Sequence, residues 1–147
     1  IAEVSAYGSQ LISQECKEVG DQDTAMFIMR SQKDVLIHIN NSRRAVYGYD
    51  QRLEVLGSKG MMISNNQSPT SVEKFDSKRT YAKDPIHFFF IERYVQAYKD
   101  QLNDFVNTLE NNNKPTVTFE DGRNALLLAN AAYESFESGK SVKVNFE

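Results

Sequence analysis

The sequence predicts an α+β fold in which an open, predominantly antiparallel mixed sheet carries helices on one face. Strand patterns fill the first half of the 147-residue chain, and helical patterns fill most of the second half. A run of strands followed by a run of helices is the element order of α+β domains. A chain of this length forms one domain and buries a stable core without disulfides or metal ions.

The strand predictions rest on alternating or β-rich apolar segments. In residues 1–9, Ala2, Val4 and Ala6 alternate with more polar neighbours, which favours a strand. Two further segments are joined by a link short enough for a hairpin, and Gly57 and Gly60 bracket the turn of a second pair. The predicted strands after the first are "TAMFIMRS", "DVLIHINNS", "RLEVLGS", "GMMISNN", an edge strand at "SVEKFDS" and a closing strand at "SVKVNFE".

Two helices are predicted in the second half. Pro85 suits the first turn of a helix of about six turns, whose apolar residues recur at three and four residue steps. This stripe is predicted to pack on the sheet, and it consists of Phe90, Tyr94, Ala97, Tyr98, Leu102, Phe105 and Leu109. The second helix is predicted to begin at a capping box, Thr118 to Asp121, and to end at Gly139.

Two helices cover only one face of such a sheet. The segments "AMFIMR" and "DVLIHI" nevertheless carry apolar residues at both parities, which is typical of strands buried on both sides. Because large exposed apolar patches mark interaction sites, a partner subunit is the simplest cover for the second face. We therefore expect a homo-oligomer formed through the sheet.

Composition excludes several classes of protein. The formal net charge is −3 and the basic residues are dispersed, so no nucleic-acid partner is expected. No apolar run reaches the roughly 18–20 residues that cross a bilayer, so no membrane partner is expected. The single Cys16 agrees with a reducing, cytoplasmic location. Because the chain starts at Ile1 inside a strand pattern, we expect it to be a fragment of a longer protein.

Residues that could carry chemistry lack the partners that chemistry needs. His38 is interpreted as a packed or hydrogen-bonded strand residue, His87 as a residue in the first turn of the long helix, and Cys16 as a surface-loop thiol. Neither histidine has neighbours at metal-ligand spacing, so no metal site is predicted. No glycine-rich phosphate motif occurs, and Asp121 and Gly122 are interpreted as helix capping rather than as an anion site.

The segment "RRAVYGYDQRLEVLGSKGM", residues 43–61, concentrates polar groups at the end of a strand. A basic pair, Tyr47, Tyr49 and Asp50 come together in a loop, where a scaffold often presents binding residues. Tyrosines are also common in strands and charges at strand ends. Residue types alone therefore leave open whether this segment binds a ligand.

Three segments in this order resemble one known family. They are "YGYDQRLEVLGSKGM", "FFIERYVQAYKDQLNDFV" and "VTFEDGRNALLLANAAYESFESGKSVKV". They resemble the C-terminal domain of the glucose-fructose oxidoreductase, inositol dehydrogenase and rhizopine-catabolism family, and within it the NAD-dependent inositol 2-dehydrogenases. The resemblance covers nearly the whole chain, and it implies a dihydrodipicolinate-reductase-like C-terminal fold whose free sheet face serves oligomerisation.

The resemblance also implies what this chain lacks. In the family, an N-terminal Rossmann domain binds NAD and carries the catalytic Lys, and the Asp and His of the proton relay precede this domain's first strand. None of these motifs occurs in residues 1–147. We therefore expect a single substrate-side and oligomerisation domain, no catalytic residue or cofactor bound by this chain, and no activity from it alone. The full-length parent would be an NAD-dependent oxidoreductase of inositol catabolism that oxidises a ring hydroxyl of a cyclic polyol.

Substrate contacts are implied by the same resemblance. Tyr47 and Tyr49 would lie near the polyol, and Asp50 would fix the turn or bind a hydroxyl. Arg93, Tyr94 and Tyr98 would contribute from the helix, although Tyr94 and Tyr98 also lie on the apolar stripe, where packing explains them equally well. The alternative function is an autonomous, non-catalytic α+β module that dimerises through its sheet and binds an unrelated partner.

Overall fold

Strands form where the sequence alternates or is rich in β-branched residues, and the computed structural model describes residues 1–146. The strands are β1 Glu3–Ser9, β2 Thr24–Arg30, β3 Leu36–Ser42, β4 Leu53–Gly57, β5 Gly60–Ser64, β6 Glu73–Lys74, β7 Ala82–Lys83 and β8 Val142–Lys143. The helices are α1 Gln14–Val19, α2 Phe90–Arg93, α3 Val95–Glu110 and α4 Phe119–Ser138.

Two units make up the chain. The sheet unit comprises Ile1–Arg44 together with the segment that begins at Pro115, and the inserted unit comprises Ala45–Lys114. Within the sheet unit, four strands lie in the order β3-β2-β1-β8, and every neighbouring pair is antiparallel. The predicted first hairpin and the predicted closing strand are therefore confirmed.

Small residues bring α4 close to the sheet. Ala131 and Ala132 on α4 form the core with Val4 and Ala6 of β1 and Met29 of β2. Side chains alternate along a strand, so these strand residues all face the helix. The remaining core contacts come from partly buried neighbours, namely Ile1, Phe27, Ile37, Leu128, Phe136, Val142 and Val144.

The second face of this sheet carries apolar side chains that the described residues leave exposed. Met26 and Ile28 of β2 are 58% and 60% exposed, and His38 of β3 lies opposite Ile28. The sequence predicts apolar residues on both faces of these strands. The exposure of Met26 and Ile28 agrees with that prediction. His38 is a strand residue as predicted, but it is exposed on that face, so its side chain is not packed.

Helix α1 is an element that the sequence analysis missed. Ser13 caps its N-terminus through the Cys16 N–H, and Gly20 ends it in the left-handed region with φ 73°. Cys16 is only 7% exposed, so the prediction of a surface-loop thiol is wrong. The polar neighbours of Cys16 occupy the solvent side of a short helix, and that placement hid its amphipathic character in the sequence.

The β4–β5 pair in the inserted unit is confirmed as an antiparallel hairpin, in which Gly60 supplies a positive φ of 142°. The strand predicted at "SVEKFDS" is present as the two residues of β6. Strand β6 pairs with β7 in a separate two-stranded ladder. Among the described strands, β6 and β7 bond only to each other and do not extend another sheet.

The long helix is shorter than predicted and interrupted. Residues 85–89 are not helical, and Tyr94, with φ −111° and ψ 13°, separates α2 from α3. His87 therefore lies before the helix, where its N–H bonds to the Gln67 carbonyl at 3.0 Å. Leu102 and Phe105 are 63% and 59% exposed, so these two residues of the predicted apolar stripe are not buried.

Helix α4 follows the prediction closely. The Thr118 side chain accepts from the Asp121 N–H, the Asp121 carboxylate accepts from the Thr118 N–H, and Gly139 ends the helix with φ 67°. The capping box therefore satisfies two amide groups that the first helical turn would leave free.

Candidate functional site

A tight turn after β3 positions the tyrosines of the candidate site. Gly48 is buried with φ 131°, and its N–H bonds to the Ala45 carbonyl at 3.2 Å. A Cβ at Gly48 would lie 2.5 Å from Ile86 Cγ1, so only glycine fits against this neighbour. The Tyr49 N–H bonds to the His87 carbonyl at 2.8 Å, which ties the turn to the segment before α2.

The Asp50 carboxylate is the centre of a polar cluster. Its Oδ1 accepts from Arg52 Nε at 2.7 Å and from Asn66 Nδ2 at 2.8 Å. Its Oδ2 accepts from Arg52 Nη2 at 2.9 Å and from the Tyr47 hydroxyl. The hydrogen bonds from Arg52 and then Tyr47 hold the pKa of Asp50 at about 2. Both oxygens are therefore occupied, and the negative charge is paired with a guanidinium.

Asn66 connects this cluster to the aromatic residues. Its Oδ1 accepts from the Gln51 N–H at 2.8 Å while its Nδ2 donates to Asp50. The Gln51 side-chain oxygen in turn accepts from the Tyr94 hydroxyl. Hydrogen bonds thus connect Tyr47 to Asp50, Asp50 to Asn66, and Asn66 to the backbone of Gln51, whose side chain bonds to Tyr94.

Four aromatic rings pack next to the turn. The Tyr94 ring lies 5.6 Å from that of Tyr49 at 82°, and 6.4 Å from that of Tyr98 at 84°. Phe90 adds a tilted contact to Tyr49 at 6.5 Å. Edge-to-face packing of this kind fixes ring orientation. Tyr49 and Tyr94 are partly buried, and Tyr98 is 53% exposed.

Arg93 supplies a cation beside these rings. Its Cζ lies 5.7 Å from the Tyr94 ring centroid, within the range of a cation–π contact. Among residues 1–146, Arg93 Nε is buried and has no hydrogen-bond partner. Arg93 therefore carries a buried donor that these residues do not satisfy.

The hydroxyls of Tyr47 and Tyr94 stay protonated through the physiological range. The hydrogen bond to Asp50, followed by burial, raises the pKa of Tyr47. Burial, followed by a hydrogen bond with Tyr49, raises the pKa of Tyr94. The site therefore presents neutral hydroxyl groups, together with a carboxylate whose charge is compensated.

The structure brings together all six predicted site residues within the inserted unit, in two linked groups. Tyr47 and Asp50 belong to the polar cluster, and Tyr49, Arg93, Tyr94 and Tyr98 to the aromatic group. Gln51, Arg52 and Asn66 were missed. Gln51 and Arg52 could have been identified only because they are polar and follow Asp50 in the sequence. No sequence signal marks Asn66. Arg43 belongs to the sheet unit, where its Nη1 lies 3.6 Å from Asp21 Oδ2.

An open groove of about 520 Å³ adjoins Asn66. It is lined by short polar side chains and one ion pair, Glu73 with Lys83 at 2.6 Å. The remaining lining residues are Gln67, Ser68, Pro69, Thr70 and Ser71. Hydroxyl and amide groups dominate this surface.

The N-terminus of α4 does not fit the diphosphate of a nicotinamide cofactor. Its capping box occupies the N–H groups of Thr118 and Asp121, and Glu120 and Asp121 place negative charge where a diphosphate would lie. Residues 1–146 contain no group of three or more His, Cys, Asp or Glu side chains that could hold a metal ion. No helix within these residues is long and apolar enough to cross a membrane.

The full length of the chain has recognisable relatives. Residues 1–144 match the oxidoreductase family, C-terminal alpha/beta domain. The chain belongs to this oxidoreductase family. A myo-inositol 2-dehydrogenase of Thermotoga maritima is 42% identical over 144 residues, which are 98% of this chain and 43% of that protein.

Solved structures of the oxidoreductase family agree. A myo-inositol dehydrogenase from Corynebacterium glutamicum matches with a TM-score of 0.92 and 46% identity over 99% of this chain and 44% of that chain. A scyllo-inositol dehydrogenase from Lactobacillus casei, solved with bound NAD(H) and scyllo-inositol, matches with a TM-score of 0.87 and 27% identity over 98% of this chain and 42% of that chain. The predicted fold class and family are thus confirmed, and the chain spans less than half the length of these relatives.

Proposed function

We propose that this chain is the substrate-side and oligomerisation domain of an NAD-dependent inositol 2-dehydrogenase, a cytoplasmic enzyme that oxidises a ring hydroxyl of a cyclic polyol. The observation that carries the proposal is the Tyr49–Tyr94 pair beside the Asp50 cluster, in a domain of this oxidoreductase family. Rings and neutral hydroxyls in one place are the groups that bind a polyol.

The charges of the site suit an uncharged substrate. Arg52 neutralises Asp50 within the protein, so the cluster offers no free carboxylate to a ligand. The Arg93 guanidinium lies beside the Tyr94 ring, and polyol oxygens accept hydrogen bonds from a guanidinium. Tyr47, Tyr49, Tyr94 and Tyr98 supply ring surface and hydroxyls on the same unit. Of the two roles for Asp50, fixing the turn is favoured because both oxygens are already bonded.

The cofactor and the proton relay belong, in this proposal, to a Rossmann domain that precedes residue 1. The support is the NAD(H) named in the Lactobacillus casei structure and the poor fit of a diphosphate to the first turn of α4. NAD supplies the hydride acceptor when bound. This chain contributes one wall of the polyol site and is inactive by itself.

Oligomerisation is assigned to the exposed face of the sheet. Met26 and Ile28 present apolar surface there, and association would remove that surface from water. Light scattering of the full-length protein should give a dimer or a larger species. Ile28→Lys should shift it toward the monomer, whereas Lys33→Glu, a charge change outside the strands, should leave assembly intact.

Enzyme assays of the natural protein that contains this chain test the proposed activity. Purified protein with NAD should form NADH, followed at about 340 nm, on addition of myo-inositol or scyllo-inositol, and acyclic sorbitol should react far more slowly. Oxidation of neither inositol would refute the function. The isolated 147-residue chain should show no calorimetric NAD binding, and tight binding would refute the separate cofactor domain.

A further inference from the structure

One side chain, Asn66, holds the two groups of the candidate site in register. It lies after β5, and it bonds to residues 15 and 16 positions earlier in the chain. Its side chain bonds both to the Asp50 carboxylate and to the backbone N–H of Gln51. None of the predicted substrate contacts includes it.

The geometry requires both halves of a carboxamide. Nδ2 must donate, because Asp50 Oδ1 is an acceptor, and Oδ1 must accept, because the Gln51 N–H is a donor. Both distances are 2.8 Å, which is optimal for bonds of this type. A carboxylate at this position would keep the second bond and lose the first.

Fixing the Gln51 backbone has a consequence for Tyr94. The Gln51 side-chain oxygen accepts the Tyr94 hydroxyl proton, so the Gln51 side chain sets the direction of that proton. The Asn66 amide holds the backbone N–H of the same residue. Asn66 is therefore linked to the Tyr94 hydroxyl through Gln51.

We propose that Asn66 is a positioning residue for the polyol, which acts through Asp50 and Gln51 to orient Tyr47 and Tyr94 without touching the substrate. The proposal rests on the proposed function, because it presupposes that these tyrosines bind a polyol. Asn66 is partly buried and both ends of its amide are engaged within the protein. Asn66 therefore has no side-chain donor or acceptor group that is not already bonded to the protein.

The test is Asn66→Asp in the full-length protein, with Asn65→Asp as the matched control. Asn65 is the exposed neighbour, so the same charge is added one position away. The charged and titratable groups around position 66 are Asp50, Arg52 and Tyr47 in the cluster, and Glu73 and Lys83 in the groove. The introduced carboxylate faces Asp50, and like charges at this distance raise the pKa of one of them.

We expect a pH-dependent loss of substrate affinity. At about pH 8.5 both carboxylates are ionised and repel, so the KM for the polyol should rise about tenfold over wild type while kcat changes less than about threefold. At about pH 5 a shared proton restores a donor, and the KM ratio should fall to about threefold or less. A general structural defect would not recover on acidification.

The outcomes separate the two proposals. If wild type oxidises inositol and Asn66→Asp behaves like Asn65→Asp, the positioning role is wrong and the function stands. If wild type oxidises no inositol, the function is wrong and the role falls with it. Should Asn66→Asp fail to fold, Asn66→Ser takes its place, and an unchanged polyol KM together with unchanged exchange protection of the Gln51 amide overturns the proposal.

Discussion

The Tyr94 ring stands edge-on to the Tyr49 ring, with centroids 5.6 Å apart and planes at 82°. The Tyr94 hydroxyl donates to Gln51, and Tyr49 is tied to His87 through its backbone N–H. Two residues 45 positions apart are thus fixed by independent backbone and side-chain bonds. Such preorganisation lowers the entropy that a ligand must lose on binding.

Replacing Tyr49 tests whether this ring contacts the polyol. In the full-length protein, Tyr49→Ala should raise the polyol KM by about 10- to 100-fold, because ring contact and hydroxyl are both lost. Tyr49→Phe keeps the ring and should raise it by about threefold to tenfold. Steady-state kinetics measure both. Tyr133→Phe on α4 is the control, and a KM for Tyr49→Ala equal to that of the control would remove Tyr49 from the site.

Tyr47 should behave differently, because its hydroxyl bonds to Asp50. Tyr47→Phe removes one of the four donors that hold the carboxylate, and Arg52 and Asn66 keep the other three. We expect a rise of about threefold in the polyol KM or a comparable fall in kcat. Kinetics indistinguishable from the Tyr133→Phe control would make Tyr47 an ordinary loop residue.

Gly48 is the residue on which the turn depends. Gly48→Ala should destabilise the protein by about 3 kcal/mol, since a side chain is strained at φ 131° and would lie 2.5 Å from Ile86 Cγ1. Thermal unfolding of the full-length protein measures the change. Gly122→Ala on α4 has nothing within 4 Å and should stabilise by about 0.5–1 kcal/mol. Equal effects of the two substitutions would contradict the steric argument.

Local interactions made much of the fold predictable. Alternation marks β1, and the capping box and Gly139 mark the ends of α4, because each depends on residues a few positions apart. Helix α1 was missed because its polar sequence is held by a distant carboxylate, that of Asp23. The break before α3 was missed because bonds from the His87 segment to Gln67 and Tyr49 compete with helix formation.

The site residues also differ in whether local sequence could predict them. Tyr47, Tyr49 and Asp50 were identified from one contiguous segment and its family resemblance. Asn66 lies 16 residues from Asp50, and a lone asparagine after a strand carries no signal of its partner. Prediction from sequence therefore reached the residues that present chemistry, and it missed those that orient them through tertiary hydrogen bonds.

Asp23 is a buried carboxylate that organises the sheet unit before α1. It is 2% exposed, and it accepts from the N–H groups of Leu11, Ile12 and Ser13 at 2.8–2.9 Å. Burial acts to raise its pKa, but these three amides and the Thr24 hydroxyl outweigh it and bring the pKa to about 2. A folded-state pKa below the ordinary 3.8 means that the charged form stabilises the fold.

The stabilisation by Asp23 should be complete above about pH 4 and should be lost as the pH falls through its folded pKa toward 2. Asp23→Asn cannot accept from all three amides, because one oxygen becomes a donor, and the Tm at pH 7 should fall by about 10 °C. Between about pH 4 and 2 the variant should lose less stability than wild type. Thermal unfolding across this range measures both effects. Asp21→Asn, at an exposed neighbour, should follow the wild-type curve, and a Tm for Asp23→Asn equal to that of this control would show that the carboxylate does not organise the loop.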